Sequence, residues 1–464
     1  MIESGTPIRA RRTKPVTCAV VVGAVLALLA GAIPAKAQSG GIPIVRDAEI
    51  EQLLREYSAP VLRAAKLAKQ NVRIVIINDR SFNAFVMDGR HIFINAGTLL
   101  DSKTPNEVIG VLAHETGHLA GGHLQRLRER MAAAQTQSIV AMIAGIGAAI
   151  ATSRAGGGTG MGGIIGPQET IRRSLLAYVR TQEDQADHAG VSFLNATGQS
   201  PKGMYDTFKR LSSETMFATQ GANPYLQTHP MPADRVAALE VIAKASPYWD
   251  KKDSPEMQLR HDLMRAKLAG FLDRADTVAR RYPLSDHSLP ARYARAIATY
   301  RKADVRAAVA EIDDLIHAQP NNAYFYELKG QALLESGHGA DAIAPLRRAV
   351  QLAPNPALIQ IMLGQALIAT GDAKHADEAV NLLRSALLQE PEASSAYAQL
   401  AMAYGKKGDL AHADLASAEA AFYRGDFGAA TMLATRAKTK LPIGSPAWVR
   451  ADDIVTAKAK TKTN

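Results

Sequence analysis

Residues 111–123, VLAHETGHLAGGH, place three histidines and a glutamate in a run of otherwise apolar or small residues. His114 and His118 are four positions apart, so on a helix their side chains leave the same face, about 40° apart. Glu115 turns aside from that face, where it can reach a water molecule rather than a metal ion. The pattern H-E-x-x-H therefore predicts a zinc site with two imidazole ligands and a glutamate as general base.

The sequence before this motif specifies the start of the helix that carries it. Thr104 is a suitable N-cap, and Pro105 suits the first helical turn. Glu107 stands three residues after the cap and completes a capping box. We therefore predict that the motif lies on a helix that begins near Pro105 and is buried by its apolar flanks.

A small β-structure is predicted upstream of this helix. Residues 71–77, NVRIVII, have the composition of a strand. Residues 83–97 alternate in polarity and contain Asp88-Gly89, which is typical of a hairpin turn. The sequence thus predicts a strand followed by a hairpin.

A third metal ligand has to come from another part of the chain. The longer metzincin pattern requires a histidine one position later than His123. The segment 180–190, RTQEDQADHAG, instead places Glu183 and Asp187 on one helical face. One of these acids can bind the metal while the other contacts a ligand histidine through its second ring nitrogen. Asp184 is a competing ligand, but no acid follows it four residues later.

The N-terminus has the organisation of a secretory signal peptide. Basic residues precede a continuous apolar run at 19–33, and the small-x-small pattern AKA ends at Ala37. An uncleaved membrane anchor is the alternative, but the run is shorter than the ~20 residues of a membrane span. Cleavage would remove Cys18, the only cysteine, so the mature protein would hold a metal through His, Asp or Glu.

Two further segments have an unusual composition. Residues 138–152, SIVAMIAGIGAAIAT, are apolar, which predicts a packed helix, with a lid or a peripheral membrane contact as the alternative. Residues 447–464 end in KAKTKTN and are predicted as a basic tail. The formal net charge of +10 is not gathered into a basic stripe interleaved with aromatic residues, so nucleic acid is not an expected partner.

The C-terminal half predicts a helical repeat domain over residues 251–446. Proline recurs at intervals of 34 to 37 residues, and small and apolar residues between the prolines follow the tetratricopeptide pattern. Such repeats stack into a solenoid whose concave surface binds peptides or partner proteins. The positions within one unit that fit are Tyr326, Gly330, Leu333, Gly337, Ala342, Leu346, Ala349 and Pro354.

The two motifs together resemble a known peptidase family. H-E-x-x-H followed by R-x-x-E-x-x-x-D, formed here by Arg180, Glu183 and Asp187, resembles the gluzincin peptidases related to the CAAX prenyl protease and to HtpX. The signal peptide and repeats resemble the periplasmic members of that family, which combine protease and chaperone activity. The resemblance implies one Zn²⁺ held by His114, His118 and Glu183, with Glu115 as general base and Asp187 and Arg180 beside the ligands.

The resemblance also assigns roles to two other segments. Asn83-Ala84-Phe85 matches the family's strand beside the cleft, where an extended substrate can add as a further strand. His229, in the sequence Thr228-His229-Pro230, matches a loop histidine that approaches the zinc and holds the enzyme latent. Arg235 is expected to assist near the transition state.

The sequence therefore predicts a mainly α (α+β) protein. A gluzincin-type metalloprotease domain with a small β-sheet (38–250) would follow the signal peptide (1–37) and precede the tetratricopeptide solenoid (251–446).

We expect a periplasmic zinc endopeptidase that acts on misfolded or stalled outer-membrane proteins. Its repeats would contact the outer-membrane assembly machinery and supply chaperone-like activity. The alternative function is a non-proteolytic binding scaffold whose metal site is plugged by His229.

Overall fold

The protein consists of a small four-stranded sheet followed by a long series of helices, as seen in a computed structural model. The predicted signal peptide and the apolar segment 138–152 lie outside the described residues. Within the described part of the chain, no helix is long and apolar enough to cross a membrane. The described residues are 43–132, 162–217, Tyr225 and 229–461.

The sheet contains the predicted strand and hairpin and one more strand that pattern alone did not indicate. Its order is β1-β2-β4-β3, with β2 and β4 parallel and the hairpin strands β3 and β4 antiparallel. Ile92 and Ile94 of β4 are fully buried, whereas β3 forms one edge of the sheet. The strands are β1 (Ile44–Val45), β2 (Arg73–Ile77), β3 (Ala84–Val86) and β4 (His91–Asn95).

The helices of the N-terminal half surround the helix that carries H-E-x-x-H. That helix, α3, is buried from Val108 to Gly117 and shares its core with the sheet and with the neighbouring helices. These helices are α1 (Ala48–Ala64), α2 (Ala96–Asp101), α3 (Pro105–Gly121), α4 (Gly162–Ala196), α5 (Lys202–Phe217) and α6 (Ala233–Lys244).

Helix α3 begins with the predicted cap. Thr104 Oγ1 accepts a hydrogen bond from the backbone N–H of Glu107 at 3.3 Å. The reciprocal bond differs by one residue, because the Glu107 carboxylate accepts from the N–H of Lys103 rather than from that of Thr104. The helix ends at Gly122, which has the left-handed φ of 61° that favours glycine.

A close helix crossing brings the two halves of the motif together. A Cβ at Gly117 of α3 would lie 2.8 Å from the carbonyl oxygen of Ala186 in α4. No side chain larger than hydrogen fits this approach. The crossing sets the two acids that flank Ala186, Glu183 and Asp187, against the histidine face of α3.

The C-terminal half consists of helices joined by short turns. The four recurring prolines predicted from the sequence lie in turns between helices, and Gly337, Gly371, Gly408 and Gly425 adopt positive φ in other turns. These helices are α7 (Pro255–Leu272), α8 (Ala275–Arg281), α9 (Leu289–Arg301), α10 (Val305–Ala318), α11 (Ala323–Glu335), α12 (Gly339–Leu352), α13 (Ala357–Ala369), α14 (Ala376–Gln389), α15 (Ser394–Lys406), α16 (Leu410–Tyr423), α17 (Phe427–Lys438) and α18 (Pro446–Thr461).

The two ends of this helical region differ from the predicted boundaries. Helix α7 contributes Met264, Leu268 and Ala269 to the core around α3, so the expected boundary near residue 250 precedes a helix that packs on the N-terminal half. The segment predicted as a basic tail is instead helix α18. Its Ala451 and Ile454 are buried in the last hydrophobic cluster, because apolar residues recur there at helical spacing.

Candidate metal centre

Four potential metal-binding side chains converge at the crossing of α3 and α4. Each offers one nitrogen or oxygen atom, and these atoms all lie within 4.8 Å of one another. Helix α3 supplies His114 and His118, α4 supplies Glu183, and His229 comes from the segment that precedes α6. His118 is partly buried and the other three are buried.

The distances between the donor atoms are short. Nε2 of His114 lies 3.1 Å from Nε2 of His118. The two oxygens of Glu183 lie 3.5 Å from His114 Nε2 and 3.4 Å from His118 Nε2. Nδ1 of His229 lies 3.1 Å from Glu183 Oε2 and 3.4 Å from His114 Nε2. The paired imidazoles and the distant acid thus face a common point, and Glu183 rather than Asp184 lies in this donor cluster.

Asp187 and Arg235 lie behind the donor atoms. Asp187 Oδ1 is 2.9 Å from Nδ1 of His114, the ring nitrogen that faces away from the cluster. The guanidinium of Arg235 donates to both oxygens of Asp187 at 2.7 and 2.8 Å. It also lies 2.8 Å from Glu183 Oε2. Arg235 therefore positions the two acids, and its expected role near the transition state stays a prediction.

Glu115 is fully buried beside the cluster, and neither carboxylate oxygen makes a hydrogen bond among the described residues. Nε2 of His229 also makes none, and it lies 3.5 Å from Glu115 Oε1. A buried carboxylate without partners costs stability, since burial removes its hydration. Such an arrangement is typical of a group kept for binding or reaction rather than for folding.

The three buried acids of the centre differ in the direction in which their pKa values are shifted. Burial disfavours the charged form of Glu183, but His229, His114 and His118 outweigh it and hold the pKa of Glu183 well below its usual value. Asp187 likewise overcomes burial through Arg235, which lowers its pKa. In Glu115, burial dominates and raises the pKa. Glu183 and Asp187 therefore remain ionised, whereas Glu115 holds a proton more readily than an ordinary carboxyl group.

The histidines of α3 differ as well. In His114, Asp187 and Glu183 outweigh the effect of burial and raise the pKa to about 9. In His118, burial dominates and lowers the pKa to about 3. The carboxylates around His114 supply the negative charge that balances a cation bound there.

Aromatic rings form one wall of the centre. Tyr225 stacks on His229 at a centroid distance of 4.6 Å and 29° between ring planes. Phe208 of α5 meets His114 edge-on at 5.1 Å. Their apolar surfaces exclude water from the histidines and strengthen the local electrostatic interactions.

Other predicted site residues lie elsewhere. Arg180 is exposed on α4, and the arginine that contacts Glu183 and Asp187 is Arg235 instead. Asn83 immediately precedes the edge strand β3, which contains Ala84 and Phe85, and the ring of Phe85 stacks on Phe93 at 5.3 Å.

Two residues of the centre were not predicted from the sequence. His123, which the sequence indicates only as one position short of the metzincin ligand, is buried against His118. The sequence did contain an indication of this contact, since the two glycines that directly precede His123 lie where α3 ends and the chain turns. Tyr225 gave no such signal, because its packing on His229 depends on the tertiary fold.

The donor set fits a divalent metal ion. It combines imidazole nitrogens and one carboxylate and contains no sulfur, a combination found in zinc and other first-row metal sites. The unpaired atoms of Glu115 and His229 face the same site.

Comparison with known proteins agrees with this geometry. Residues 45–243 match the model of peptidase family M48. These residues form an M48 peptidase domain. The matched residues include all four donor residues and Glu115, and the match supports a metalloprotease.

Similar proteins extend beyond the M48 domain. The beta-barrel assembly-enhancing protease of Escherichia coli K12 is 23% identical over 429 residues, covering 89% of this chain and 84% of that protein. A putative beta-barrel assembly-enhancing protease of Vibrio cholerae is 26% identical over 295 residues, 61% of this chain and 59% of that protein. Among solved structures, the crystal structure of MamA is 20% identical and covers 36% of this chain and 96% of that chain, with a TM-score of 0.28.

Proposed function

We propose that this metalloprotease is a zinc-dependent endopeptidase of the periplasm that acts in the assembly and quality control of outer-membrane proteins. The observation that carries the catalytic part is the buried carboxylate of Glu115, which makes no hydrogen bond within the described residues and lies beside three imidazoles and an ionised Glu183. A structural site would pair that carboxylate; a hydrolytic site needs it free.

The residues divide the work as follows. His114, His118 and Glu183 would hold the zinc ion, while Asp187 and Arg235 would fix His114 and Glu183 in place. A bound zinc ion acts as a Lewis acid and lowers the pKa of a water molecule toward 7. Glu115 accepts a proton from the attacking water and returns it to the leaving amine of the cut peptide bond. Its raised pKa suits both transfers.

The edge strand β3 supports a polypeptide substrate. Among the described residues it pairs only with β4, so its other edge offers backbone groups to an extended chain. Asn83, Ala84 and Phe85 would then align the substrate beside the metal centre. Strand addition recognises the backbone of the substrate rather than a fixed sequence, which suits an enzyme that cuts unfolded proteins.

The wider biological role follows from the relatives and the sequence. The relatives named for β-barrel assembly match along most of this chain. The predicted signal peptide supports export to the periplasm. The helices from 251 to 446 would serve as tetratricopeptide repeats that bind the outer-membrane assembly machinery and assist folding. On this proposal, the domain of residues 38–250 cleaves the substrate proteins, and the repeats bind the assembly machinery.

A second candidate function rests on His229. Its Nδ1 lies within 3.4 Å of His114 Nε2 and 3.1 Å of Glu183 Oε2, so this side chain occupies the donor cluster itself. A histidine held there permanently would leave no position for water, and the protein would act as a binding scaffold. A histidine that leaves on substrate binding would instead make the protease latent.

One experiment separates these functions. The purified zinc-loaded protein is incubated with an unfolded outer-membrane β-barrel protein, and cleavage is followed by electrophoresis. We expect cleavage by wild type or by His229→Ala, none by Glu115→Gln, and wild-type behaviour by the control Glu129→Gln, whose side chain is exposed. If neither wild type nor His229→Ala cuts while zinc is bound, the scaffold is correct and the protease proposal is wrong.

A further inference from the structure

His123 lies directly against a candidate metal ligand, although it is not itself part of the donor cluster. Helix α3 ends at Gly122, whose left-handed backbone reverses the chain. This turn carries His123 back onto the last turn of α3. There its Nδ1 lies 3.0 Å from Nδ1 of His118, with the two rings at 84° to each other. Only 4% of His123 is exposed.

The contact constrains the protonation of both rings. Nε2 of His118 faces His114 and Glu183, so Nδ1 is the nitrogen left for other partners. Two nitrogens 3.0 Å apart share one proton, with one ring donating and the other accepting. If His118 uses Nε2 as a metal ligand, its proton is on Nδ1, and His123 accepts it.

We propose that His123 is a positioning residue that fixes the ring orientation and tautomer of His118. The proposal rests on the metal site described above. It gives each ligand histidine of α3 a partner on its far nitrogen: Asp187 for His114 and His123 for His118. Such partners typically contribute 10- to 100-fold to metal affinity.

The two partners differ in charge, and the difference suits the site. Three buried acids, Glu115, Glu183 and Asp187, already face one buried cation, Arg235. A fourth carboxylate beside His118 would add negative charge that the described residues do not balance. A neutral imidazole supplies the acceptor without this cost.

The surroundings of His123 hold its ring in place. Its backbone carbonyl accepts a hydrogen bond at 3.1 Å from Nε2 of Gln182, the residue before Glu183. On the other side, a Cβ at Gly121 would overlap Nε2 of His123. The glycine pair 121–122 therefore has two separate tasks: Gly122 turns the chain, and Gly121 leaves space for the ring.

The test is zinc affinity, measured by competition with a chromophoric chelator. We expect His123→Leu to weaken zinc binding about 10- to 100-fold. His123→Asn should restore most of the affinity, because its amide oxygen can accept the proton of His118. The matched control is Gln125→Leu, two residues away and exposed, which should bind zinc as wild type does. Thermal midpoints of the metal-free variants show whether the fold is retained.

A second route avoids changing the histidine. Gly121→Ala keeps His123 but displaces its ring, so it should weaken zinc binding in the same direction. Cobalt(II) absorption spectra of His123→Leu and Gly121→Ala should both differ from wild type, while that of Gln125→Leu should not. The proposal is overturned if His123→Leu and Gly121→Ala bind zinc as tightly as wild type. Failure of wild type to bind zinc would instead refute the proposed metal site.

Discussion

Two buried charged clusters lie in this protein, and they are built in opposite ways. The metal centre joins α3, α4 and the segment before α6. The second, the lysine cluster, consists of Lys267 with Asp47, Glu49 and Glu327 and joins the start of α1 to α7 and α11. Both hold several acids away from water, yet only one of them has the geometry of a reactive site.

The side chains of the lysine cluster pair with one another. Nζ of Lys267, which is 2% exposed, lies 2.8 Å from Asp47 and 3.3 Å from both Glu49 and Glu327. Tyr293 of α9 donates a further hydrogen bond to Glu49 at 3.0 Å. Within the described residues, no buried side-chain nitrogen or oxygen of these five residues lacks a hydrogen bond. The cluster thus links the N-terminal helix to the helices of the C-terminal half.

The metal centre leaves atoms unsatisfied at the same depth. Glu115 and Nε2 of His229 make no hydrogen bonds within the described residues. The comparison teaches that buried charge alone does not mark a functional site. A buried polar atom that makes no hydrogen bond and lies beside a cluster of metal-donor atoms does mark such a site, because folding gains nothing from leaving that hydrogen bond unmade.

The largest expected effect is on catalysis. Glu115→Gln should lower kcat/KM for peptide cleavage by about 10²–10⁴-fold, the usual contribution of a general base. The free energy of unfolding should not fall, since no hydrogen bond of Glu115 is lost. Activity assays and thermal melts of the zinc-loaded enzyme check both parts. A strongly destabilised Glu115→Gln would show that this carboxylate is structural and would break the comparison.

We expect Lys267→Met to lower the free energy of unfolding rather than kcat/KM. Removing one partner of a buried ion cluster leaves its acids uncompensated, which costs about 3–5 kcal/mol of unfolding free energy. Lys329→Met is the matched control: Lys329 is a partly exposed lysine that pairs with Asp313 at the surface, so its loss should cost about 1 kcal/mol or less. Urea unfolding measures both. Equal midpoints for the two variants would contradict a structural role for the lysine cluster.

A buried histidine of α7, the helix that carries Lys267, predicts acid sensitivity. His261 of α7 lies 3.3 Å from Tyr57 of α1 and 3.0 Å from the carbonyl of Ser102. Burial lowers its pKa from 6.5 to about 4. The unfolded chain therefore takes up this proton first, so the stabilisation is fully present above pH 6.5 and is lost as pH falls toward 4.

This loss should amount to about 3 kcal/mol. His261→Gln, which keeps a donor and an acceptor but does not titrate in this range, should flatten the dependence of unfolding free energy on pH. The exposed His287 provides the control, and His287→Gln should keep the wild-type slope. An unchanged slope in His261→Gln would mean that other groups cause the acid sensitivity.

The smallest expected effect concerns uncharged packing in the helical C-terminal half. A Cβ at Gly364 of α13 would lie 2.9 Å from Leu383 of α14, whereas a Cβ at Gly405 of α15 would meet nothing within 4 Å. Gly364→Ala should cost about 1–3 kcal/mol. Gly405→Ala should be neutral or stabilise by up to about 1 kcal/mol. Thermal melts that rank the two variants in the opposite order would contradict the close crossing.

Sequence patterns predicted the features that depend on local chemistry. The start of α3 followed from Thr104 and Pro105, and the hairpin followed from Asp88-Gly89. Helical spacing placed Glu183 and Asp187 on one face, where the structure finds both turned toward α3. Each of these depends on residues only a few positions apart.

Features that depend on tertiary contacts could not be predicted in this way. The pairing of Arg235 with Asp187 and Glu183 joins segments about 50 residues apart, and the sequence does not indicate which acid a distant arginine meets. The lysine cluster spans still longer separations. The helix at 446–461 was missed because its basic end concealed the apolar spacing of Ala451 and Ile454.

The most direct test of the central claim is the zinc content of dialysed protein, measured by elemental analysis. Wild type and Asp184→Ala, which removes an exposed acid next to the ligand, should each retain one zinc ion per chain. Glu183→Ala should retain almost none. Zinc retained equally by Glu183→Ala, or absent from folded wild type supplied with zinc, would contradict the convergence of α3 and α4 on a single metal ion.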